Sequence, residues 1–161
     1  MGLFGRSKKE LLEWQNLLSA TPSNKLVMTE KQLLMSSKQA AENHMRILGD
    51  SAQLCEKTKK PDIFFSRYNL LIEHGEQLVK LSKYIKFSGT TPQKVLNQAV
   101  EQRPVLIKQL IDRCIEDAEA LKTEASKSKR YAKILNDFMP YKSEMDASNW
   151  NYLESKCIPK A

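Results

Sequence analysis

Apolar side chains recur along this chain at intervals of three and four residues, the spacing that puts them on one face of an α-helix. The first run is Leu11, Trp14 and Leu18. Ser7 followed by Glu10 is a capping-box signature, so a short helix over 8–19 is predicted and "SATPSN" ends it. Thr29-Glu-Lys-Gln is a second capping box, and Leu34, Ala41, Met45, Leu48, Ala52 and Cys55 keep step behind it to about 57. Pro61 stops that helix, and Asp62 is expected to cap a third over 63–87. The third carries Phe64, Phe65, Tyr68, Leu71, Leu78 and Ile85, with Gly75 and Ser82 as small residues on the same seam. "SGTTP" is a turn in which Gly89 closes one helix, Thr91 caps the next and Pro92 takes its first position.

The pattern from Pro104 to Met139 is the most regular in the chain. Ile107, Ile111, Cys114, Ala118, Leu121, Ala125, Ser128, Ala132, Leu135 and Met139 alternate steps of four and three, a heptad-like period. It predicts a helix over 92–139, broken or kinked at Pro104, whose coiled-coil-like portion would be roughly 54 Å long. Pro140 ends it, and a short last helix over about 149–156 holds Trp150, Tyr152 and Leu153. The expected architecture is all-α: a single domain over 1–161, built as an extended antiparallel helical bundle.

Composition agrees with helices and narrows the chemistry. The 161 residues include only 5 Gly and 6 Pro, and β-branched residues seldom alternate, so no sheet is expected. The net charge of +7 favours acidic partners, with the surplus carried by residues 1–60 and 122–161. Cys55, Cys114 and Cys157 are odd in number and widely spaced, which argues against a disulfide framework and a zinc site and for reduced thiols in a cytoplasm. "MGLFGRSKK" has no apolar run of signal-peptide length, Arg6 stands where a myristoylation motif wants Ser or Thr, and no segment approaches a membrane span.

Catalytic and cofactor signatures are not found. The two histidines, His44 and His74, do not sit in His-Glu-x-x-His or Glu-x-x-His spacing, and "EHGE" at 73–76 reads as a solvated helix face. No glycine cluster precedes a helix to cradle phosphate, so neither a cofactor nor an enzyme activity is expected.

Two readings compete for the strip "ALKTEASKSKRYAKIL". Lys122, Lys129 and Lys133 fall within about 40° on a helical wheel, with Arg130 about 60° beyond Lys133, a stripe able to meet two or three phosphates. That is the weak, sequence-independent nucleic-acid alternative. The stronger reading is that the lysines cover the wet side of a helix whose seam of Ile107, Ile111, Cys114, Ala118, Leu121, Ala125, Ala132, Leu135 and Met139 packs on a second rod. Asp112, Glu116 and Glu119 precede the lysines on the same sector, a polarity that suits an antiparallel copy, so a homodimer is expected ahead of packing within the chain. The first helix, with Leu3, Phe4, Leu11, Trp14 and Leu18 beside Arg6, Lys8 and Lys9, could lie on a membrane surface, but docking of Trp14 into the bundle is the simpler account.

The stretch "KKPDIFFSRYNLLIEHGEQLVKLSKYIKFSG", Lys59 to Gly89, resembles a segment of small uncharacterised helical proteins of Gram-positive bacteria and their phages, with Phe64, Phe65 and Tyr68 carrying the likeness. The resemblance implies only a cytoplasmic bacterial or phage setting and brings no known activity with it. From the helical seam and the missing catalytic signatures, the chain is expected to be a non-catalytic interaction or accessory protein.

Overall fold

The computed structural model describes residues 5–160, and among them every regular element is a helix. In chain order these are α1 (Lys8–Leu18), α2 (Glu30–Lys57), α3 (Pro61–Leu81), α4 (Pro92–Glu119), α5 (Glu124–Phe138) and α6 (Ala147–Cys157), with a 3₁₀ segment at Met139–Glu144 and a 3₁₀ turn at Ile158–Lys160. The start signals act as their chemistry dictates. The Ser7 hydroxyl accepts from the Glu10 amide, Thr29 and Gln32 form a reciprocal capping box, and Thr91 caps α4 with Pro92 behind it. Gly89, at φ +80°, supplies the left-handed turn before Thr91.

Several boundaries differ from the pattern. α3 starts at Pro61 rather than 63, because proline needs no donor at the first helical position; Lys60 is the N-cap, and Asp62 falls in the first turn. It stops at Leu81, where the Ser82 hydroxyl bonds back to the Val79 carbonyl, so Ser82 is exposed and off the seam. Gly75 does lie on that seam: a Cβ there would stand 3.1 Å from Leu96 Cδ1 and 3.7 Å from Leu48 Cδ1, so α2, α3 and α4 converge on it. α4 runs through Pro104 without a break. The carbonyl that loses its partner belongs to Val100, on an exposed face open to water, while the neighbouring Ala99 and Pro104 carbonyls accept from the Tyr68 hydroxyl (3.0 Å) and the Asn149 amide (2.8 Å). The last helix begins at Ala147, capped by Asp146.

The larger correction concerns the rod after Pro104, which does not exist. α4 ends at Glu119, and Thr123 caps a new helix, its hydroxyl accepting from the Ser126 amide with Glu124 in the first turn. α5 turns back against the C-terminal part of α4: Tyr131 and Lys127 meet Glu119, while Ile134 and Phe138 stand beside Cys114. Ile107, Ile111, Cys114 and Ala118 are buried as expected, but their neighbours are Phe64, Phe65, Tyr68, Tyr131, Ile134, Phe138, Trp150 and Leu153 of the same chain. Beyond the break the seam fails. Ala125 and Met139 are exposed, Leu121, Ala132 and Leu135 are half-buried, and the buried face is Tyr131, Ile134 and Phe138, one residue out of register. A dimer through 107–139 would have to open this core.

A second apolar cluster lies at the other end of the α2–α3 hairpin and comprises Trp14, Leu33, Ala41, Leu78, Leu81 and Ile85. Trp14 is 1% exposed, stacks on Tyr84 at 4.9 Å and donates its indole N–H to Ser37 Oγ at 2.7 Å, so α1 is bolted to the bundle and its central aromatic is not offered to a membrane. Leu3 and Phe4 lie outside the described residues. Gln15 accepts from the Val27 and Met28 amides and donates to the Lys25 carbonyl, which pins the α1–α2 connection.

The register of α5 gives a direct test. Phe138→Ala is predicted to cost about 3–5 kcal/mol by urea unfolding, whereas Met139→Ala at the neighbouring position changes stability by no more than about 0.5 kcal/mol. The continuous heptad requires the opposite order.

Candidate functional site

The fold-back puts the basic strip beside a second basic stretch, "KTKK" at 57–60. Arg113 of α4 fixes that connection by donating to the Thr58 and Cys55 carbonyls at 2.9 Å each, and the Cys114 thiol reaches the Lys59 carbonyl at 3.2 Å. Lys59 and Lys60 are thereby held opposite α5. Between them runs a groove of about 380 Å³ with an apolar floor of Pro61, Cys114, Ile134 and Phe138 and a charged rim of Lys59, Lys60, Asp117, Arg130, Lys133 and Asp137. It continues past Lys133 toward Pro140 and Tyr141.

Rim charges are not equal. Lys59 is paired with Asp117 at 2.6 Å, and Lys133 with Asp137, one helical turn away, at 2.5 Å. Among the described residues, Lys60 and Arg130 have no carboxylate within 4.0 Å. Of the four residues expected to form the phosphate stripe, Lys122 and Lys129 are exposed on the outer face, Arg130 is half-buried at the groove, and Lys133 is engaged with Asp137. The single stripe is thus divided. Sequence reasoning did not find Lys59 and Lys60, because their role depends on a chain reversal at 120–123.

No thiol in this core is an activated nucleophile. Burial pushes Cys55, Cys114 and Cys157 each up to about 11, so all three remain protonated at neutral pH, and none is paired in a disulfide. Glu119, at the break, is held down at about 2 by hydrogen bonds from Lys160 and Tyr131. This ties the C-terminal turn to the α4–α5 corner. Phe64, Phe65 and Tyr68 are core residues at 0–4% exposure.

Elsewhere on the molecule, α2 and α3 bring the two histidines together. His44 and His74 stand 15 residues either side of Lys59, so an antiparallel hairpin turning there sets them at one height. Their Nδ1 atoms are 2.6 Å apart and their rings 4.9 Å apart, tilted by 48°. The hydrogen bond requires one nitrogen to donate and the other to accept. Burial, and then the neighbouring His74, lower the pKa of His44, with Glu73 opposing. Isolated spacing rules test one helix at a time and cannot detect such a pair.

Because His44 binds its proton less readily folded than unfolded, its contribution to stability is complete above the unfolded value of about 6.5 and is lost as pH falls below it. Urea midpoints are predicted to drop between pH 7.5 and 5.5 in the wild type and to drop less in His44→Gln. Equal slopes would contradict the assignment. Glu119 does not interfere in this range, since a carboxyl held at about 2 contributes stability that is lost only as pH falls below the ordinary glutamate value of 4.5.

No family model matches the chain, and neither a curated protein nor a solved structure resembles it closely enough to count as a match.

Proposed function

We propose that the chain is a non-catalytic helical interaction protein that docks an acidic, partly apolar segment of a protein partner in the groove between residues 59–62 and α5. The observation that carries this reading is the combination of two uncompensated cations, Lys60 and Arg130, with a floor of Pro61, Ile134 and Phe138. Carboxylates of a partner would supply the missing counter-charges, and apolar side chains would cover the floor at about 25 cal/mol per Å² buried. The N-terminus of α3 opens at the same place and adds partial positive charge. The protonated thiol of Cys114 in the floor fits a contact surface better than a reaction centre.

Weak nucleic-acid binding is the competing reading. Its stripe has lost Lys133 to Asp137, Lys122 and Lys129 are exposed outside the groove, and a phosphate chain carries no apolar groups to cover the floor.

Fluorescence anisotropy separates the two. A labelled peptide alternating Glu with Leu and Phe is predicted to bind the full chain at physiological salt, and Lys60→Glu with Arg130→Glu should weaken it about 10-fold or more, or about 1.4 kcal/mol. Replacing the peptide's Leu and Phe by Ser should also weaken it. Tighter binding of a duplex DNA than of the peptide, abolished by Lys122→Gln with Lys129→Gln, would favour the nucleic-acid reading. Binding of neither probe would remove the groove as a docking site.

A further inference from the structure

We propose that His44 and His74 form a two-imidazole site for a divalent transition-metal cation of the Ni²⁺, Cu²⁺ and Zn²⁺ class, bridging α2 and α3. The site is independent of the groove, roughly 20 Å away along α3.

The geometry is close to what such a cation needs. Metal–imidazole bonds are about 2.0–2.1 Å long, so two nitrogens on one ion at angles of about 90–110° stand about 2.9–3.4 Å apart. Nδ1 of His44 and Nδ1 of His74 already face each other at 2.6 Å, on rings tilted by 48°. Rotation of both half-buried rings would widen the gap and turn the two lone pairs onto one ion. In the neutral pair, one Nδ1 carries the bridging proton. When the ion enters, that proton is taken up at the outer Nε2 of the same ring, so both inner lone pairs bind metal and no net proton is released.

Surroundings favour a cation and leave it accessible. Glu73, next to His74, lies near enough for its charge to act on His44. Both rings are half-buried rather than sealed in the core, so water or a side chain from another molecule can complete the coordination. Among the described residues no group of three or more His, Cys, Asp and Glu is placed to hold a metal. The site is therefore an open, two-ligand one, unlike the closed four-ligand sites that build structural zinc domains. Imidazole donors select these borderline ions over Mg²⁺ and Ca²⁺, which prefer oxygen.

Thermal unfolding of the full chain, stripped with EDTA and then given NiCl₂, CuCl₂, ZnCl₂ or MgCl₂, tests the assignment. Ni²⁺ at ten times its dissociation constant is predicted to raise the midpoint by about 3–6 °C, with one ion per chain by calorimetric titration and no effect of Mg²⁺. The shift should vanish in His44→Gln and in His74→Gln. No shift in the wild type at millimolar Ni²⁺, or a shift that survives in either variant, would overturn the proposal. The chain has 2 histidines, so their imidazole proton resonances give a second readout that needs no variant. Substoichiometric Cu²⁺ should broaden both together, and sharp signals from either would contradict the site.

Discussion

Everything distinctive about this bundle depends on the reversal between Glu119 and Glu124. A continuous helix would keep a few backbone hydrogen bonds, each worth a net of about 0.5–1.5 kcal/mol. The break gives those up. In exchange it brings Tyr131, Ile134 and Phe138 onto α4, each burial contributing about 1.5–3 kcal/mol, and Thr123 replaces part of the lost bonding as a cap. Burial outweighs continuity, so the chain turns. The same turn gathers Glu119, Lys127, Tyr131 and Lys160 into a polar corner.

The reversal also determines which surfaces are free. Ile107, Ile111, Cys114 and Ala118 are used up inside the chain, while α5 presents Arg130 and Lys133 toward Lys59 and Lys60. The groove exists because two basic stretches, seventy residues apart in sequence, flank one apolar floor. Its rim pairs Lys59 with Asp117 and Lys133 with Asp137, which leaves Lys60 and Arg130 as the residues whose charge a partner can still use.

Much of this was legible in the letters. Caps at Ser7, Thr29 and Thr91, the proline at position 92, the small Gly75 on its seam and the docking of Trp14 follow from local chemistry, and local chemistry decided them. The failures share a cause. Between Lys122 and Ser126 no Gly or Pro marks a stop, and the apolar heptad runs on through Ala125 and Ala132, so periodicity alone favours a rod. The signal present was Thr123 followed by Glu124, a cap with an acidic first turn, but small alanines fit either register and did not arbitrate. Juxtapositions across elements, such as His44 with His74 or Arg130 and Lys60 on one groove, depend on where the chain turns, and become visible only when the turns are placed.

The reversal itself is best tested by a distance. Spin labels placed through unnatural amino acids at Gln109 and Asn136, both exposed, would be about 40 Å apart on a straight helix at 1.5 Å per residue. The reversal shortens this, since Ile134 and Phe138 stand beside Cys114 rather than roughly 30–36 Å along a rod from it. Pulsed dipolar spectroscopy is expected to give a single distribution centred below about 30 Å once label length is included. A peak near 40 Å would mean that α4 and α5 form one rod, and the groove would go with it.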